Sequence, residues 1–383
     1  MATKYKKETI RAFMDELFEG DLHAKRVESL SNGVLGVLSS GSLAIHAIGA
    51  GYAYATGHQG RHGIKQLDRL LSNQKIDIPA CQKHWVPYVI GERKEIVVAM
   101  DWSEFDADGH STLAINLTTQ HGRATPLVWK SVEQSSLKNN RNRYEDELLD
   151  HFKACLPQGV QVTLLADRGF CDTELLASLT NKLEFDYVIR IRKNIKITNA
   201  KGEMRAAGQW LTSGRKTAVL RNSTMTHYHH PVATTVITRQ PEMKDCWCLV
   251  SSLPNLSSKK AIGYYAKRWG VETWFRDSKS ARYGLGMKAM HTKSTARRDR
   301  LWFLAAMAVM LMTLLGQVSE ELGYDRTLKA NTVKTRTHSL FRQGMMIYEA
   351  LPNMKERWLK PIMERFSELL LEFRTYQEVF GIV

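Results

Sequence analysis

Between residues 95 and 192 the hydrophobic pattern switches between period two and period 3.6, and the order of the switches leaves few folds open. EIVVAM (95–100) is rich in β-branched residues and reads as a strand ending at Asp101. STLAINLTT (111–119) alternates, and ATPLVWKSV (124–132) follows it at hairpin distance. YEDELLDHFKACL (144–156) has helical spacing after a basic, polar loop. QVTLLADRGF (161–170) is a strand that stops at Asp167 and is punctuated by Gly169. TELLASLTNK (173–182) is a helix capped by Asp172 or Thr173, and DYVIRIR (186–192) is one more strand. The order β-β-β-α-β-α-β implies a meander followed by parallel strands crossed by helices.

That order predicts an α/β fold with a ribonuclease-H-like core. Residues 193–255 then turn β-rich and basic, which reads as an antiparallel insertion before the next helix. Residues 1 to 80 read as helical, with SLAIHAIGAGYA, the turn-rich GHQGRHG and IKQLDRLLSN in succession. Lys65 and Arg69, four apart on the last of these, share a face away from Leu67, Leu70 and Leu71. A helix–turn–helix and an ordinary helical bundle both fit this pattern; the basic surplus of the chain favours DNA contact. The expected division is a helical DNA-binding domain (1–80), the two parts of the core (90–192 and 256–320) around the insertion (193–255), and a helical C-terminal region (321–383) suited to dimerisation.

Composition narrows the partner. With 54 Lys and Arg against 39 Asp and Glu, the formal charge is +15, which points to a polyanion. A hydrophobic fraction of 43% excludes a disordered chain. The five cysteines are an odd number without zinc spacing, as expected of free thiols in a reducing compartment. LWFLAAMAVMLMTLL (301–315) is shorter than the roughly 20 residues of a membrane span and abuts Arg297, Arg298 and Arg300, so a buried helix is expected. These features predict a cytoplasmic, nucleoid-associated protein with no membrane partner.

YYAKRWGVETWFRDSK (264–279) mixes rings and cations in a way that neither a core helix nor a solvated helix uses. At 100° per residue, Tyr265, Arg268, Glu272, Arg276 and Lys279 fall within an arc of about 80°. Val271, Trp274 and Phe275 fall outside it and would face a core. Salt bridging alone would explain the i,i+4 charges, each pair worth about 0.2–0.5 kcal/mol, but not the adjoining Tyr265 and Trp269. Cations and rings together suit phosphates and bases. Asp101 and Asp167, each after an apolar run, add two carboxylates to Glu272. A strand-end aspartate alone fits a turn or cap equally well. All three together suggest a site for two divalent ions acting on a phosphodiester.

Tyr265, Arg268, Glu272 and Lys279, with two, three and six residues between them, resemble the Y-R-E-K signature of bacterial insertion-sequence DDE transposases. This group includes the transposases of transposons five and ten. DWS at 101, AD-x-GF at 166, THYHH at 226, the Leu-Pro after CWCLVSS, YGLG at 283 and ANTV at 330 are most similar to the transposon-ten branch, as is RHGIKQLDRLLSN near the N-terminus. The resemblance implies that Asp101, Asp167 and Glu272 are a catalytic triad holding two Mg2+ or Mn2+ ions. It implies that Tyr265, Arg268 and Lys279 grip phosphates at the transposon end, with Arg276 a further DNA contact. Trp247 would stack on a flipped base; the alternative is a ring buried in a strand. The family nicks one strand, attacks the other with the freed 3′-hydroxyl to leave a hairpin, and inserts the element into target DNA. The implied partners are double-stranded DNA, at terminal inverted repeats and at the target, and a second copy of the chain.

Other residues invite less. His227, His229 and His230 lack a fourth zinc ligand, Glu104, Asp106 and Asp108 sit in a turn-like stretch and are expected to be solvated, and Asp277 falls away from the Glu272 arc. Two alternatives remain: a nuclease of ribonuclease-H fold, which needs the triad but neither the Y-R-K edge nor Trp247, and a non-catalytic DNA-binding repressor descended from a transposase.

Overall fold

The structure is a computed structural model that describes residues 2–371 except 19, 120, 121, 240–242 and 244, with the side chains of 2–6 and 371 left aside. The end of the predicted last helix, 372–376, lies outside the described residues. Five helices come first: α1 (Ala2–Leu17), α2 (Ala24–Ser40), α3 (Ile45–Thr56), α4 (Gly60–Ser72) and α5 (Ile78–Ile90). Then follow β1 (Glu95–Phe105), β2 (His110–Thr118), β3 (Ala124–Glu133), α6 (Arg141–Cys155), β4 (Gln161–Ala166), α7 (Thr173–Asn181) and β5 (Asp186–Ile191), the order that the hydrophobic periods predict.

The β-rich stretch forms β6 (Lys196–Thr198), β7 (Met204–Ala206), β8 (Thr217–Met225), β9 (His230–Thr238) and β10 (Trp247–Ser251). All ten strands join one sheet in the order β3-β2-β1-β4-β5-β10-β9-β8-β6-β7. β1 is antiparallel to β2 and parallel to β4, and β4 is parallel to β5. β10 pairs antiparallel with β5, so the later strands extend the central sheet.

The described residues finish with α8 (Ser258–Lys267), α9 (Trp269–Lys279), α10 (Thr295–Glu321), α11 (Leu340–Ala350) and α12 (Glu356–Leu371). Polar residues set several helix starts: Asp172, Ser257 and Ser294 each accept a backbone N–H from the first turn of α7, α8 and α10.

Two expectations need correction. β1 does not end at Asp101: pairing with β2 carries it on to Phe105, so Asp101, opposite Ala114, lies inside the strand. And 264–279 is not one helix. The chain tightens at Arg268, where Arg268 N–H bonds to Tyr265 O at 3.1 Å and Val271 N–H to Arg268 O at 3.0 Å, both i to i+3. Beyond this turn α9 is docked on the β2–β3 connection by Thr273 Oγ1, which donates to Gly122 O at 3.0 Å.

α10 is long and apolar enough to cross a membrane by length and composition, but 94% of its most apolar window is buried inside the chain. It packs against α2, α11 and β3. Its N-terminal cations also serve the fold: Arg297 pairs with Asp68 of α4 at 2.8 Å, and buried Arg300 donates to the carbonyls of Leu71 and Ile76. These bonds satisfy α4 and the segment after it, and hold the N-terminal helices on the central ones.

Candidate active site

Alternation along β1 decides which residues can reach which helix. Asp101 and Ser103 face α9, whereas Trp102 between them faces α6. Asp101 Oδ2 accepts from Arg268 Nη1 at 3.2 Å, and its Oδ1 accepts the Trp102 backbone N–H at 2.9 Å. The second nitrogen of the same guanidinium, Nη2, donates to Glu272 Oε1 at 2.9 Å. One buried arginine thus holds a carboxylate of the sheet and a carboxylate of α9 together.

Asp167 is the first residue after β4, where the apolar run breaks off. Its Oδ1 accepts the Gly169 N–H at 2.7 Å. A Cβ at 169 would lie 2.9 Å from that oxygen, so a larger residue there would have to push the Asp167 carboxylate aside. β1 and β4 are adjacent, and Asp101 and Asp167 each lie two residues beyond the Ala99–Leu165 pair.

The Asp101 carboxyl feels the charges of both other acids. Burial pushes the Asp101 carboxyl up to about 6; Arg268 pulls it down, and the negative charges of Asp167 and Glu272 push it up again. Burial acts against the charge of Arg268, but Tyr265 and the two carboxylates outweigh it and raise the guanidinium above its ordinary value. Arg268 Nε is buried without a hydrogen-bond partner, so its present seat does not use all of its donors.

The rest of the predicted edge divides. Tyr265 is buried, its ring edge-on to Trp247 with centroids 4.9 Å apart. Burial raises its phenol, and the cations of Arg268 and Arg190 counter the rise. Trp247 is half-buried, whereas Trp269, beside Arg268, is 53% exposed. Lys279 reaches across to β1 and donates to Ser103 Oγ at 2.9 Å and Glu104 O at 2.8 Å. Burial lowers its ammonium to about 8, with Lys288 adding to the effect. Arg276 is exposed on α9. Lys65 and Arg69 are exposed on α4, which packs on α2, α3 and α10, and no hydrogen bond among the described residues links them to the three acids.

Asp108, expected to be solvated, instead has a side chain only 7% exposed that pairs with Arg298, and His291 sits 2.9 Å from its other oxygen. A distant helix supplies the cation, so the local turn pattern gave no hint of it. Asp277 is likewise buried and paired with Arg123 at 2.5 Å. The histidines of 227–230 lie at the β8–β9 turn and the start of β9, and all five cysteines are free.

Sequence reading did not single out Arg190, which lies at the carboxyl end of β5 next to β4 and whose cation acts on the Tyr265 phenol. The signal was available: ligands of parallel sheets gather at the carboxyl ends of strands, and Arg190 and Asp167 share that end.

A donor set made only of carboxylates suits a hard divalent cation, and the raised Asp101 carboxyl is what such a cation would relieve. As the side chains lie here, Arg268 supplies the positive charge. Among the described residues no group of three or more His, Cys, Asp or Glu side chains is gathered to hold a metal ion.

No curated protein matches the chain. Residues 92–311, more than half of its length, match the family model described as the transposase DDE domain. That span runs from just before β1 into α10 and includes Asp101, Asp167, Glu272 and the arginine between them, and the chain belongs to the transposase DDE domain family.

Proposed function

We propose that the protein is a cut-and-paste DNA transposase of the transposon-ten type, with a ribonuclease-H-like core, acting as a dimer at terminal inverted repeats. The observation that carries this reading is the bridge from Asp101 through Arg268 to Glu272, which joins the acids of two separate elements at one point. The strand order from β3 to β5 supports the core assignment. Residues 1–80 would bind the element's end through Lys65 and Arg69, and 321–383 would serve the second copy.

Asp101, Asp167 and Glu272 would hold two Mg2+ or Mn2+ ions, which would stabilise the attacking and leaving oxygens of phosphodiester exchange. The chain's own residues do the positioning. An incoming phosphate competes with the carboxylates for Arg268, since a guanidinium pairs with either in the same bidentate geometry. Moving Arg268 onto DNA frees both acids. Lys279, Arg190 and the exposed Arg276 add positive charge along the same edge. Trp247 and Trp269 offer ring faces to an unstacked base, an interaction worth about 1–3 kcal/mol. Hydrolysis breaks one 3′ O–P bond and leaves a 3′-hydroxyl and a 5′-phosphate. That hydroxyl then attacks the opposite strand, forming one O–P bond and breaking another.

The test is a labelled duplex carrying the element's own end, incubated with protein and Mg2+. Nicking followed by a hairpin product is expected. Cleavage without strand transfer would instead indicate a nuclease, and binding without cleavage a repressor.

Arg268 carries a separate prediction. Arg268→Ala removes the cation that now neutralises the two acids, so DNA-free protein should bind Mn2+ at least about tenfold more tightly, the scale of one charge-assisted contact. The same variant should lose affinity for the end. Unchanged Mn2+ binding, measured by loss of the free-ion paramagnetic resonance signal, would show that Arg268 does not compete for the acids.

A further inference from the structure

The hydrogen-bonded ladder between β1 and β4 runs from Glu95–Gln161 to Ala99–Leu165 and goes no further. Asp101 and Asp167 both lie two residues past its end, so no pair of that ladder joins them directly.

Trp102 points away from Asp101 toward α6, where its Nε1–H donates to Glu145 Oε1 at 2.8 Å. Arg141, one turn earlier, donates its Nε–H to the same oxygen at 3.1 Å. The Arg141 guanidinium lies over the Trp102 ring at 5.2 Å and over the Phe170 ring at 5.7 Å. Phe170 closes the turn that Asp167 opens, its N–H donating to Asp167 O at 3.1 Å. Asn142 Nδ2 reaches the far end of the same segment and donates to Asp172 Oδ2 at 2.7 Å. Thus little more than one turn of α6 touches both the residue after Asp101 and the turn after Asp167. Glu145 is a buried carboxylate on an otherwise ordinary amphipathic helix, with a side chain only 5% exposed. Burying it is costly unless its donors are in place.

We infer that Arg141 and Glu145 are positioning residues that set the spacing of Asp101 and Asp167 from behind the sheet, acting through Trp102 and Phe170. This rests on the reading of the two aspartates as ligands of a divalent cation. Neither Arg141 nor Glu145 reaches the site itself. They act as outer-shell groups do: they hold the backbone that carries the ligands, and the loss of such a group typically weakens metal binding 10–100-fold.

The experiment is Mn2+ binding to the DNA-free full chain, followed by paramagnetic resonance of the free ion. Arg141→Ala, and Trp102→Phe, which keeps the ring and deletes the N–H, should each weaken binding about tenfold, with a lowered thermal midpoint but a cooperative melt, since each variant leaves the buried Glu145 carboxylate with one of these two donors. Arg141→Lys keeps the cation over the two rings and should recover most of the affinity. Should Arg141→Ala fail to fold, Trp102→Phe carries the test. Asp101→Asn is the reference and should abolish the binding. If Asp101→Asn binds like wild type, the cation reading fails and the clamp with it. If Asp101→Asn loses Mn2+ while Trp102→Phe and Arg141→Ala bind it normally, the clamp alone is overturned.

Discussion

Glu272→Gln is expected to bind the element's end within about twofold of wild type and to nick it at least about 10³-fold more slowly, a barrier increase of about 4 kcal/mol. The amide keeps the size of the side chain, and its oxygen can still accept from Arg268 Nη2, as Glu272 Oε1 does at 2.9 Å. Folding should be unaffected, since the side chain is 46% exposed and its partner is already held by Asp101. What disappears is the negative charge, the one property a divalent cation needs from this position. Gel-shift affinity and single-turnover nicking, measured on the same preparation, separate the two effects. A variant that nicks at the wild-type rate would remove Glu272 from the catalytic set.

Gly344→Ala should be among the most destabilising single changes outside the site. A Cβ at Gly344 would lie 1.7 Å from Met312 O, and one at Gly316 would lie 2.0 Å from Leu340 O. The contacts are reciprocal: α10 and α11 cross backbone to backbone at these two glycines. Rigid backbone carbonyls cannot turn aside as a side chain would, so the helices must separate. That loses packing along a buried apolar seam. A loss of at least about 3 kcal/mol is expected, at the upper end for overpacking. Gly263→Ala is the contrast: it lies in α8 with nothing within 4 Å of its Cβ, and should be neutral or stabilising by up to about 1 kcal/mol. Thermal melts of the two variants decide the matter. Equal midpoints would mean that the helix crossing is looser than the structure has it.

The core elements from β1 to β5 were legible because each has an unmixed period and is bounded by turn chemistry. Asp167 was legible for the same reason: Gly169 and the end of the apolar run mark it locally. Asp101 was found for a reason that proved incomplete, since pairing with β2 extends the strand past it. The break at Arg268 was not legible, because the i,i+4 charge pattern is the same on a straight helix and on two joined by a tight turn. Asp108 and Arg298 meet across long separations, as do Trp102 and Glu145, and local patterns carry no trace of such pairs.

Periodicity alone therefore determined the order of strands and helices, the apolar side of α9 and the positions of the candidate acids, because these depend on residues a few places apart. Which partner each charge meets was decided only by the folded chain. The sheet order sets β1 beside β4, and α9 crosses the face that Asp101 and Ser103 share. Together they put a single guanidinium between two carboxylates that the local chain could never have brought together.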